Sequence, residues 1–181
     1  MAATLVAMNK TQNIKPRMGI DIGRVIMAPV KGGKADTSFL TGNMERAMQT
    51  PPSPGAFDGV RALVDASHGQ AWLISKAGAN VQHKTKQWLR EWDFFNETGM
   101  PRGNLRFCLR RHEKAHHCSQ LKITHFIDDR LDVLEHLRGI VPNLYLFGEQ
   151  KRPEDTPCWV THVADWPFTT SVVLNDLADG D

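Results

Sequence analysis

Five residues of this sequence have the types and spacing to handle a phosphoryl group. Asp21 ends an apolar run, Met18 to Ile22, and Ser75 follows another, Ala71 to Ile74. Lys114 opens a helix-period segment, Lys114 to Gln120, and Asp128 and Asp129 follow the run Ile123 to Ile127. Carboxylates brought within a few ångströms repel, so three of them together need a cation to stay ionised at neutral pH. An all-oxygen set of hard ligands suits Mg²⁺. With such an ion bound, one carboxylate can attack phosphorus covalently, while a hydroxyl and an ammonium hold the phosphoryl oxygens.

These residues meet only if the fold brings their segments to one edge. Short apolar runs alternate with helix-period stretches, the pattern of a parallel sheet with helices on its faces. Strands are expected at Met18 to Ile22, Ala71 to Ile74, Leu105 to Leu109, Ile123 to Ile127 and Leu144 to Phe147. Helices are expected from Pro54 with Ser53 as N-cap to Gly69, over Asn80 to Trp92, Lys114 to Gln120 and Leu131 to Leu137, and over Pro167 to Leu177 behind Asp165. Residues 93–103 read as a loop, 110–113 as a polar turn, and the chain after Phe147 as irregular up to the last helix. The fold class is therefore α/β, a doubly wound parallel sheet of about five strands, whose ligand edge is the carboxyl ends of those strands. The whole chain reads as one domain: residues 1–16 are flexible, 27–54, rich in Gly and Pro, form a flap or small cap, and 148–181 are a C-terminal extension.

In order and placement these residues resemble the haloacid dehalogenase superfamily, most of whose members are Mg²⁺-dependent phosphatases; the resemblance spans about residues 17–148. The first motif is Gly19-Ile20-Asp21-Ile22-Gly23-Arg24-Val25, the second Leu73-Ile74-Ser75, the third Lys114, and the fourth His125-Phe126-Ile127-Asp128-Asp129-Arg130. The resemblance implies that Asp21 is the nucleophile, forming an aspartyl-phosphate. It implies that Mg²⁺ is held by Asp21, the Gly23 carbonyl and one or both of Asp128 and Asp129. Ser75 and Lys114 would then act as catalytic phosphate holders, with Lys76 beside them on the phosphate. Gly23 departs from the pattern, because most such phosphatases carry there a second Asp that protonates the leaving group, a contribution of about 10² to 10⁴ in rate. Only 53 residues separate Asp21 from Ser75 and 38 separate Ser75 from Lys114, which leaves room for the fold's own helices but for no large cap domain.

The expected substrate is a phosphorylated small molecule or macromolecule. A weakly active or inactive binding protein on the same fold is the alternative that Gly23 motivates, and processing of phosphorylated nucleic-acid ends is a third. With 22 Lys and Arg against 20 Asp and Glu, the net charge of +2 on 181 residues argues against wholesale electrostatic binding of nucleic acid. Three cysteines without a CxxC pair point to a reducing compartment, and no apolar run is long enough to span a bilayer, so the expected location is the cytoplasm. His112, His116, His117 and Cys118 lack a cluster to complete four zinc ligands. Lys122 is the rival to Lys114, but it directly precedes a strand instead of opening a helix.

Overall fold

The computed structural model describes residues 15–28, 39 and 42–179. Strands β1 (Met18–Ile20), β2 (Ala71–Lys76), β3 (Leu105–Cys108), β4 (His125–Asp128), β5 (Asn143–Phe147) and β6 (Thr161–Val163) form one sheet in the order β3-β2-β1-β4-β5-β6. Every pairing is parallel, which requires crossovers and buries both faces. Alternate residues therefore serve two apolar layers. Met18, Ile20, Leu73, Ile127, Tyr145 and Phe147 face one, and Trp72, Ile74, Phe126, Leu144 and Leu146 face the other.

The first layer is covered by α2 (Ala56–Ala66), α3 (Ala79–Glu91), α4 (Phe94–Thr98) and α7 (Trp166–Asp179), whose Val60, Leu63, Trp88, Leu89, Phe94 and Trp166 are buried in it. The second is covered by α5 (Lys114–Gln120) and α6 (Leu131–Leu137), through Cys118, Leu134 and Leu137. The remaining helix, α1 (Met44–Met48), lies in the excursion after β1, capped by Asn43, whose Oδ1 accepts from Arg46 N–H at 2.9 Å. Among the described residues no helix is long and apolar enough to cross a membrane.

Several expectations are corrected. The sheet has six strands, not about five. Residues 161–163, read as irregular, add β6 beside β5, and Gly148 N–H donates to Val163 O at 2.8 Å to close that edge. Three residues carry no periodicity that a sequence could display. The loop after Trp92 holds α4, begun by Asp93 in the left-handed region (φ 46°) and ended by Gly99 (φ 70°). Ser53 is not the cap of α2. That role falls to Gly55 at φ 76°, which turns the chain into the helix, while the Ser53 carbonyl accepts from Ala56 N–H at 2.9 Å. Within the C-terminal extension, β6 lengthens the sheet and α7 packs along α2. Of the flap, 29–38, 40 and 41 lie outside the described residues, as do 1–14. The described remainder is tied down by a bridge from Met27 to Pro52 and by a hydrogen bond from Trp88 Nε1–H to Thr50 O at 2.7 Å.

The α2–α7 contact depends on Gly59. A Cβ there would sit 2.5 Å from the Trp166 ring and 2.7 Å from Thr170 Oγ1. The indole cannot swing away cheaply, because it is 1% exposed and its Nε1–H donates to Val25 O at 2.8 Å. Gly59→Ala gains up to about 1 kcal/mol of helix propensity, but overpacking costs about 1–3 kcal/mol. The expected net is a loss, read as a lower urea midpoint with an unchanged m-value; a gain in midpoint would show that the two helices yield.

At the end of the sheet remote from the carboxylates, His125 is 6% exposed and stacks on Tyr145. Its Nδ1 lies 2.8 Å from Thr124 Oγ1 and its Nε2 3.1 Å from the Asn143 amide. Burial lowers its pKa from 6.5 to about 4, with Asp176 opposing. Between those values the unfolded chain binds a proton that the native state refuses, so the stability due to neutral His125 is complete above about pH 6.5 and is lost as the pH falls towards 4. The expected loss is roughly 2–3 kcal/mol. His125→Gln should flatten this acid limb in denaturation curves at pH 7.5 and 4.5. An equally steep limb in the variant would assign the acid sensitivity elsewhere.

Candidate active site

The register of the sheet builds the site. Ile20 is level with Ile127, so Asp21, one residue past β1, comes beside Asp128, the last residue of β4, and Asp21 N–H donates to Ile127 O at 2.9 Å. The strand order reverses between β1 and β4, and doubly wound sheets open their ligand crevice at that reversal. Ser75 and Lys76 close β2 at the same edge. A Cβ on Gly19 would lie 2.3 Å from the Phe126 ring, so glycine is what lets β1 run this close to β4's side chains.

Lys114 arrives from the other side. Glu113 fixes the approach, its Oε2 accepting from Leu109 N–H at 2.9 Å and Arg110 N–H at 3.0 Å, and the 3₁₀ turn Arg111–Glu113 runs directly into α5. Those backbone hydrogen bonds hold the Glu113 carboxyl below its ordinary pKa. Lys114 is 2% exposed, and its Nζ donates to Asp21 Oδ1 at 2.6 Å and to Asp128 Oδ2 at 2.7 Å. The rival Lys122 is exposed and in the left-handed region (φ 52°), ending α5 away from the carboxylates.

Asp21, Asp128 and Asp129 each offer a carboxylate oxygen within 4.8 Å of the others. Asp128 is wholly buried, and its Oδ1 also accepts from Arg130 N–H at 3.0 Å. Asp129 pairs with the Arg24 guanidinium, from a residue in the left-handed region (φ 60°) three positions after Asp21. Burial would lower Lys114, but the Asp128 and Asp21 charges prevail and hold it above its ordinary value. Burial raises Asp128 despite Lys114, and burial with Asp21 nearby raises Asp129 to about 6 despite Arg24. Lys114 and the half-exposed Arg24 are the cations paired directly with the trio, and the Asp128 and Asp129 carboxyls stay raised beside them. The donor set is all oxygen, and that fits a hard divalent cation such as Mg²⁺.

Asp21, Gly23, Ser75, Lys76, Lys114, Asp128 and Asp129, all expected from the sequence, line one cleft of about 350 Å³. His112, His116, His117 and Cys118 do not converge on a metal: His112 lies beside His136, His117 Nε2 is 3.1 Å from Phe107 O, and Cys118 is buried in the second core layer. Arg24, Arg130 and an apolar wall that includes Met27, Phe39 and Val81 also line the cleft, beyond the residues expected from the sequence. Arg24 and Arg130 lie inside the first and fourth motifs. The wall left no such signal, because Phe39 and Val81 come from separate segments that only the fold joins. Set against known proteins, the chain matches no family model and no curated protein.

Proposed function

We propose that this chain is a Mg²⁺-dependent phosphatase of the haloacid dehalogenase type, acting on a phosphomonoester through an aspartyl-phosphate on Asp21. The supporting observation is Asp21 Oδ1 held 2.6 Å from a buried Lys114 within a trio of aspartates at the sheet's switch point. Lys114 engages one oxygen of Asp21 and leaves Oδ2 on the side of Gly23, where a Cβ would lie 3.9 Å from it. That oxygen attacks phosphorus, the P–O bond to the leaving group breaks, and water then cleaves the aspartyl-phosphate to restore the carboxylate. Ser75, Lys76 and Lys114 bind the phosphoryl oxygens and orient them for in-line attack.

Asp21, the Gly23 carbonyl and one or both of Asp128 and Asp129 would hold Mg²⁺. Bound there, the ion offsets the negative charge of nucleophile and phosphate. Gly23 favours a second reading, a phosphate-binding protein with little or no turnover. Release of phosphate from a panel of phosphomonoesters, with Mg²⁺ and with chelator, separates the two. Mg²⁺-dependent release supports the enzyme, whereas binding of phosphate without release supports the second reading. Three cysteines without a CxxC pair support a reducing compartment, and the cytoplasm is the location proposed here.

A further inference from the structure

We infer that the substrate is an aryl phosphate, a phosphorylated phenol whose ring lies on the apolar wall of the cleft; the inference rests on the phosphatase reading of the same site. Two independent features carry it. The first is the wall itself. Met27, Ala28, Phe39 and Val81 face the space beside the aspartates, and the cleft's volume, about 350 Å³, is that of a small-molecule site. Phe39 is held in place from behind: Lys84, 3% exposed, donates from Nζ to Phe39 O at 3.1 Å and to Gly42 O at 2.5 Å. A polyol phosphate would set hydroxyls against this surface, leaving their hydrogen bonds unmade, whereas an aromatic ring removes both surfaces from water.

The second feature is the space at Gly23. A Cβ there would meet only Asp21 Oδ2, at 3.9 Å, so the room for a proton donor exists but glycine supplies none. Among the described residues lining the cleft, the carboxylates are Asp21, Asp128 and Asp129; Asp21 is the proposed nucleophile, Asp128 is held by Lys114 Nζ and the Arg130 N–H, and Asp129 by the Arg24 guanidinium. As the Asp21 Oδ2–P bond forms and the P–O(leaving group) bond breaks, the electron pair must depart on an oxygen that stays anionic. A phenol ionises near pKa 10, as Tyr does, and its oxide spreads the charge into the ring; an alkoxide needs the proton. In the second step the leaving group is the Asp21 carboxylate, which needs none. The wall selects the ring and Gly23 selects the acidic oxygen, and a phosphorylated phenol satisfies both.

A free aryl phosphate and a phosphotyrosyl side chain share this chemistry. The test measures kcat/KM with Mg²⁺ for acetyl phosphate, a graded series of substituted phenyl phosphates, a phosphotyrosine peptide, glycerol phosphate and a phosphoserine peptide. Aryl substrates should exceed alkyl ones by at least about 10²-fold, with a steep dependence on the acidity of the phenol. Phe39→Ala should cut the ratio of phenyl phosphate to acetyl phosphate about tenfold, and Gly23→Asp should raise alkyl turnover and flatten the series. A peptide faster than phenyl phosphate assigns a protein substrate, and the reverse order a free metabolite; either supports the aryl class. Alkyl esters within tenfold of aryl ones, or a flat series in the parent chain, would overturn it. If acetyl phosphate is not consumed and Asp21 takes up no phosphoryl group, it is the phosphatase reading that fails, and the aryl inference falls with it.

Discussion

Asp21→Asn is expected to remove the proposed Mg²⁺-dependent phosphate release, by on the order of 10³-fold or more, and to leave the fold intact. The amide keeps the size of the carboxyl group but is a poor nucleophile, and the proposed covalent step has no substitute at that position. Folding should survive because Lys114 keeps Asp128 at 2.7 Å as its counter-ion and because the amide oxygen can still accept from Nζ. The check has three parts: phosphate release, far-UV circular dichroism, and intact mass after brief incubation with acetyl phosphate. The parent chain should gain the mass of one phosphoryl group and the variant should not. Release that survives the substitution would discard Asp21 as nucleophile, whatever the fate of the fold.

Gly23 makes the same measurement more informative. An enzyme lacking that acid and base would still use Asp21, so a slow parent chain that loses its residual rate in Asp21→Asn points to the nucleophile. Phosphate bound but released by neither chain points to the binding-protein reading. The two outcomes differ even where turnover is low.

The parallel sheet could be read from the sequence because each of its first five strands contains a short apolar run set between turn signals and helix-period segments. β1 is Met-Gly-Ile and β4 His-Phe-Ile-Asp; the runs predicted there extend two residues too far and start two too early, respectively. β6 and α4 escaped because their support is tertiary. Thr161–Val163 becomes a strand by pairing with β5, and Phe94–Thr98 becomes a helix by burying Phe94 in the first core layer. Ser53 shows the limit of capping rules, because a serine near a helix start is a cap only if its side chain reaches the first turn, and here Gly55 makes the turn. The acidic and basic members of the site were visible because strand ends are where such sheets gather chemistry. Arg24 was not, since nothing in the string of letters shows that a left-handed residue after Gly23 aims its guanidinium at Asp129.

Lys114→Met tests the electrostatics of the site apart from catalysis, and its effect on stability should be the largest of any single substitution here. The methionine fills the space of the stem, so little packing is lost; what is lost is the ammonium between Asp21 and Asp128, at 2.6 and 2.7 Å, in a position 2% exposed. Removing one partner of a buried ion pair strands the other, at about 3–5 kcal/mol. Lys114→Arg is not a conservative replacement, because it puts a larger planar guanidinium with a fixed fork where a compact ammonium serves two carboxylates. Stability measured without metal should therefore fall steeply. Mg²⁺ should then restore more of the melting temperature in Lys114→Met than it adds to the parent chain, since the same carboxylates, relieved of their internal cation, bind an external one more tightly. A smaller Mg²⁺ shift in the variant would mean that Lys114 and the divalent ion do not neutralise the same charges, and the Asp21–Asp128–Asp129 trio would lose its claim to be a metal centre.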